Sequence, residues 1–149
     1  SGANLTGISA GFEEGSRATM SGDQVNIVTA TATKIVFNTE AYDLGADYDH
    51  ATNYRFVAPT TGEYLVIGTL TWSAGVDQTK YATLIYKNGS NMVNYAILAS
   101  GTGQLSTFAS VILQLSATDY IEIFGRQDSG SNKTVYASSQ SSFSVHRLS

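Results

Sequence analysis

The sequence predicts an all-β domain built as a sandwich or jelly roll, and three observations carry that prediction. Every apolar run is rich in Val, Ile, Thr, Tyr and Phe and alternates with the two-residue period of a strand. Each run ends at Gly, Asn, Asp or Ser, so turn signals separate about eight to ten short segments, the pattern of a two-sheet β domain. No stretch sustains the helical period.

The strands are expected at Gly11–Met20, Gln24–Ile27, Thr33–Asn38, Tyr54–Ala58, Gly62–Ser73, Tyr81–Lys87, Met92–Ser100, Gly103–Leu115, Asp119–Gln127 and Ser141–Leu148. The fourth and fifth meet at Pro59-Thr60-Thr61-Gly62, where a proline without a donor and a following glycine make a tight corner. In the fifth, Tyr64, Val66, Gly68, Leu70 and Trp72 point one way and Leu65, Ile67, Thr69 and Thr71 the other. Both faces begin apolar, so the first half of this strand is expected to be covered on both sides. The sixth and seventh flank Asn88-Gly89, a pair suited to the positive φ angles of a type I′ turn, and should form a hairpin. In the eighth, Val111, Leu113 and Leu115 alternate with Ser110, Ile112 and Gln114; in the ninth, Ile121 and Ile123 oppose Tyr120, Glu122 and Phe124.

Composition sets the limits. The 149 residues suffice for one domain with a real core. Charged residues make only 13% of the chain against about 25% in an average soluble domain, so Ser, Thr, Asn and Gly must supply the polar surface, as in extracellular or virion proteins. Net charge is −4 and the eight Lys and Arg are scattered, which leaves a phosphate-tracking surface without a source and argues against nucleic acid as a partner. The absence of cysteine removes disulfides, thiolate metal sites and thiol nucleophiles. No run reaches the roughly 20 apolar residues of a membrane helix, so membrane insertion is not expected. Residues 1–9 read as a linker or expression scar and 10–149 as the domain.

The segment Thr33–Val66, TKIVFNTEAYDLGADYDHATNYRFVAPTTGEYLV, resembles the signature of the complement C1q globular-head family, related to the tumour-necrosis-factor jelly rolls. The matching residues are Phe37, Tyr48 and Asp49, Phe56, Pro59, Gly62 and Tyr64, supported by Asp119 in LQLSATDYIEIF and Phe143 in SSFSVHRLS. Two positions depart from the pattern: Thr118 and Val145 stand where the family has glycine. The resemblance implies a ten-stranded jelly roll packed as a homotrimer at the tip of a fibre or stalk, with its activity in what its loops bind. The lead segment and the missing cysteines are similar to phage and bacterial members.

On that reading the chain is a non-enzymatic trimeric head of the phage tail fibre or spike type, at the cell exterior or virion surface, binding itself and a cell-surface glycan or protein receptor. Three other readings compete: a purely structural trimerisation cap, a small jelly-roll hydrolase, and a secreted cytokine-like ligand. The binding surfaces are expected in the loops Thr39–Asn53, Ser73–Lys80 and Gln127–Tyr136, with Trp72, Asp77, Lys80, Arg126 and Asp128 as ligand-contacting candidates. Trp72 ends its strand beside a loop and could stack on a sugar, although a strand-end tryptophan also suits a core. Calcium is the one candidate cofactor, because acidic loops supply oxygen ligands. Its candidates are Asp43, Asp47 and Asp49 around Gly45, or Asp77 with Asp128 near a trimer axis. Tyr120, Glu122 and Phe124 are candidates for the trimer interface, where a carboxylate would need a partner. A hydrolase would need His50 or His146 beside a serine or a carboxylate pair, and there is no Gly-x-Ser-x-Gly elbow.

Overall fold

In the computed structural model, residues 14–137 and 139–149 are described. The expectations for residues 1–9, and for the first part of the strand Gly11–Met20, lie outside them.

Thirteen strands and no helix occur among the described residues: β1 Gly15–Thr19, β2 Gln24–Ile27, β3 Thr33–Lys34, β4 Thr39–Asp43, β5 Tyr48–Asp49, β6 Arg55–Val57, β7 Gly62–Trp72, β8 Lys80–Lys87, β9 Ser90–Leu98, β10 Leu105–Leu115, β11 Tyr120–Gln127, β12 Lys133–Val135 and β13 Ser142–Arg147. They form two antiparallel sheets. The first runs β2-β12-β7-β13-β1-β4, with β10 on the free side of β7; the second runs β5-β6-β11-β8-β9, with β3 also beside β11.

The period-two alternation locates the core. Tyr64, Val66, Leu70 and Trp72 of β7 are fully buried, as are Ile121 and Ile123 of β11, Tyr81 and Ile85 of β8, and Val145 of β13. Gly125 gives Trp72 its place, since a Cβ there would lie 2.9 Å from the indole ring. The Trp72 indole N–H donates to Thr107 Oγ1 at 2.9 Å, and Thr107 in turn is 2.7 Å from Thr83 Oγ1. A buried polar chain is thereby satisfied within the core.

The Asn88-Gly89 hairpin joins β8 to β9 as expected, with φ of 50° and 76° at its two central residues. The Pro59–Gly62 corner carries the chain from the second sheet to the first. There the Tyr64 hydroxyl turns back to Thr60 O at 2.8 Å, and a Cβ on Gly62 would strike Ser149 O at 2.3 Å. That accounts physically for the Pro-x-x-Gly-x-Tyr spacing.

Several expectations need correction. The strand Thr33–Asn38 pairs only at Thr33–Lys34, because Val36 N–H goes to the Gln24 side chain at 2.9 Å instead of a ladder partner. The loops expected at Thr39–Asn53 and Gln127–Tyr136 contain β4, β5 and β12. These strands are only two to five residues long, and their neighbours make them strands. The first half of β7 is covered on one side alone: Leu65 is half-buried and Ile67 is 36% exposed.

Candidate functional site

The outward face of the first sheet follows from register. Phe108 and Ser142 flank Thr69, Ser110 and Ser144 flank Ile67, and Ile112 and His146 flank Leu65. Apolar side chains therefore gather at the centre of a sheet face that nothing among the described residues covers, with Phe108 67% and Ile112 57% exposed. Serines ring them. His146 caps one end, its Nε2 2.6 Å from the Tyr42 hydroxyl.

A second apolar surface lies along β9, the edge of the other sheet. Val93, Tyr95 and Ile97 pair with Ile85, Thr83 and Tyr81, whose side chains face the core. They therefore share the core-facing side of the sheet, yet β9 extends past the cover, leaving Tyr95 55% and Ile97 44% exposed. The two surfaces are different in kind, a face and an edge, and β10 stands next to both. Sequence reasoning missed Phe108, Tyr95 and Ile97, although Phe108 and Ile112 carried a signal: they are apolar residues on the same side of β10 as Ser106, Ser110 and Gln114.

The interface candidates Tyr120, Glu122 and Phe124 lie on the outer face of the second sheet, where their own chain occupies them. Arg55 sits 4.3 Å over the Tyr120 ring, Phe124 stacks on Tyr86 with centroids 4.0 Å apart, and Glu122, 5% exposed, pairs with Lys34. The partner that a buried carboxylate requires comes from within the protomer.

Trp72 is corrected outright. It is fully buried and stacks edge-on against Tyr81, so it offers no platform to a ligand. Asp77 ties its loop to Gly101 N–H at 2.6 Å and does not line the hollow that Lys80, Arg126 and Asp128 share. Lys80, Arg126 and Asp128 do converge, with Arg126 Nε 3.2 Å from Asp128 Oδ1.

The acidic loop serves its own backbone. Asp43 accepts the N–H groups of Asp47 and Tyr48, and Asp49 accepts those of Ala51, Thr52 and Asn53. The amide donors, Thr52 foremost, hold the Asp49 carboxyl below its ordinary range. Burial, with Asp43 and Glu14 nearby, pushes the Asp47 carboxyl up instead. The calcium reading of Asp43, Asp47 and Asp49 is corrected accordingly: Asp43 and Asp49 accept from their own backbone, and no group of three or more His, Cys, Asp and Glu able to hold a metal exists among the described residues.

The signature residues Phe37, Tyr48, Phe56, Tyr64 and Phe143 are all in the core. Tyr48 donates to Phe37 O at 2.9 Å and meets the Phe143 ring edge-on. Asp119 accepts from Ser116 N–H and Asn88 and pairs with Lys87, which draws its carboxyl down to about 2. Thr118 keeps the left-handed conformation that a glycine would supply, at φ 75°. Val145 fills core space.

Among the described residues His50 pairs with Glu40 on the surface and His146 with Tyr42, and neither histidine is hydrogen-bonded to a serine.

No family model matches the sequence, and no curated protein matches it. Solved structures do. The Eiger TNF of S. frugiperda superposes with a TM-score of 0.65 at 15% identity, over 91% of this chain and 92% of that one. The chain has the C1q/TNF jelly-roll fold. The globular domain of the zebrafish complement 1qA protein agrees, with a TM-score of 0.64 at 16% identity over 91% of this chain and 98% of that one. At such identities the likeness is one of fold, and function rests on the surfaces described above.

Proposed function

We propose that the chain is a trimerising, ligand-like head domain of a fibre-type protein, of the phage tail fibre or spike kind, which works outside the cell or on a virion surface and attaches to a receptor without catalysis. The observation that carries the reading is the open apolar face around Phe108 and Ile112 together with the unlike apolar edge at Tyr95 and Ile97. A contiguous apolar surface of this kind marks an interaction site. Two non-identical patches on one protomer suit a heterologous contact, which joins each copy head to tail and closes into a ring. The resemblance of the Thr33–Val66 segment to the C1q head signature favours a ring of three. Three equivalent weak sites on one rigid head then raise attachment by avidity.

Solution mass by light scattering at neutral pH tests the reading. A mass near three times 15.8 kDa is expected, and a monomer over the micromolar range overturns it.

A further inference from the structure

Eight Lys and Arg residues serve this chain, and their own fold employs nearly all of them. Lys34, Lys87 and Arg147 pair with Glu122, Asp119 and Glu14. Lys133 Nζ donates to Ala74 O, Arg17 donates to Ser139 O, and Arg55 lies on Tyr120. Two remain. Lys80 has no side-chain partner among the described residues, and Arg126 spends only its Nε, on Asp128. These two cations line the same hollow on the outer face of the second sheet, about 270 Å³ in volume, with Ala82, Asn94, Ala96 and Asp128.

The register explains why a hollow forms there. Across β11, β8 and β9 the outward side chains run Phe124, Leu84, Asn94 in one row and Arg126, Ala82, Ala96 in the next. In the third row Lys80 stands opposite Leu98, and Asp128 donates its N–H to Lys80 O. Two alanines therefore sit amid long side chains. With strands roughly 4.8 Å apart and same-face residues roughly 7 Å apart along each strand, the depression measures roughly 10 by 14 Å, the footprint of one substituted sugar ring.

We propose that this hollow binds an acidic sugar residue, its carboxylate or sulfate held between Lys80 Nζ and the free edge of the Arg126 guanidinium. The protein carries −4 overall, so a general attraction for anions does not account for the unpaired Lys80 ammonium beside a guanidinium that Asp128 engages at Nε alone, a net positive spot on an acidic chain. The methyl groups of Ala82 and Ala96 offer a small apolar floor to the ring. Asn94 supplies both a donor and an acceptor for hydroxyls. Asp128 has an acceptor oxygen beyond its contact with Arg126, which a polyhydroxylated ligand uses and a bare anion does not. The site is built by one chain and lies on the side of β9 opposite Tyr95 and Ile97.

The test is a titration followed through the backbone amide signals of Ala82, Asn94, Ala96 and Arg126, with D-glucuronic acid, D-glucose 6-sulfate, neutral D-glucose and sodium sulfate as probes. Saturable shifts with glucuronic acid, the sulfated sugar or both, well ahead of glucose and of sulfate, are expected, and the stronger of the two acids identifies the anionic group. Lys80→Gln and Arg126→Gln, both surface changes, should each weaken that binding about tenfold, the worth of a charge-assisted hydrogen bond. The proposal is overturned if sodium sulfate binds as well as the acidic sugars, if glucose matches them, if no probe shifts these signals, or if both variants bind as the parent does. The Phe108→Ser variant gives the same titration, so a failure of assembly and a failure of this site are told apart.

Discussion

Replacing Phe108 by serine isolates the surface on which the proposed assembly rests. Its ring is 67% exposed in the protomer. Full burial of such a side chain is worth about 1.5–3 kcal/mol, so covering the open two thirds contributes about 1.5 kcal/mol per protomer. Three symmetric copies lose about 4–5 kcal/mol, which raises the trimer's dissociation constant about a thousandfold. The protomer itself should hardly notice. The introduced serine would join those already on that side of β10, and a surface substitution away from special features stays within about 0.5 kcal/mol. Sedimentation velocity across a concentration series reads the assembly, and thermal unfolding of the isolated monomer reads the fold. Phe108→Ser assembling with the parent's dissociation constant refutes the reasoning. A variant that loses its monomer fold would show instead that Phe108 belongs to the core, contrary to its exposure.

Other expectations concern the core and its turns. Trp72→Phe removes the indole donor to Thr107 and leaves a small void, at a cost of about 2 kcal/mol in denaturant unfolding; an unchanged midpoint would contradict the buried bond. Thr118→Gly relieves a β-branched residue at φ 75° and should stabilise the domain by about 1 kcal/mol, a gain calorimetry would detect and a loss would disprove. The Asp119 carboxyl is depressed from 3.8 to about 2, chiefly by Lys87 and then by Asn88 and Ser116 N–H. Its contribution is present above the unfolded value and is lost as pH falls through that window. Asp119→Asn should therefore flatten the decline of stability between those two values, and a decline as steep as the parent's would show that other carboxylates cause it.

Much of the architecture was legible because it rests on local rules. Alternation in Gly62–Ser73, Gly103–Leu115 and Asp119–Gln127 separates core from outer face, since a strand has a strict period of two. Asn88-Gly89 makes a hairpin by its own backbone preferences. The strands β4, β5 and β12 were illegible because two to five residues are too few to show an alternation, and their pairing is imposed by β1, β6 and β7.

The candidate sites divide along the same line. That Phe108 and Ile112 share a side of β10 with serines is written in the chain, whereas the open state of that face depends on which sheet covers which. Trp72 could be read as platform or core until Gly125, more than fifty residues away, was seen to leave room for its ring. Lys80 and Arg126 could be named as surface cations from sequence. Only the β11-β8-β9 register sets them around two alanines, because strand pairing joins residues by position across the sheet and not by distance along the chain. The sequence by itself determined the strand faces and the sharpest turns, which depend on neighbouring residues alone; the tertiary structure decided the exposed apolar surfaces and the hollow, which exist only where distant strands meet or fail to meet.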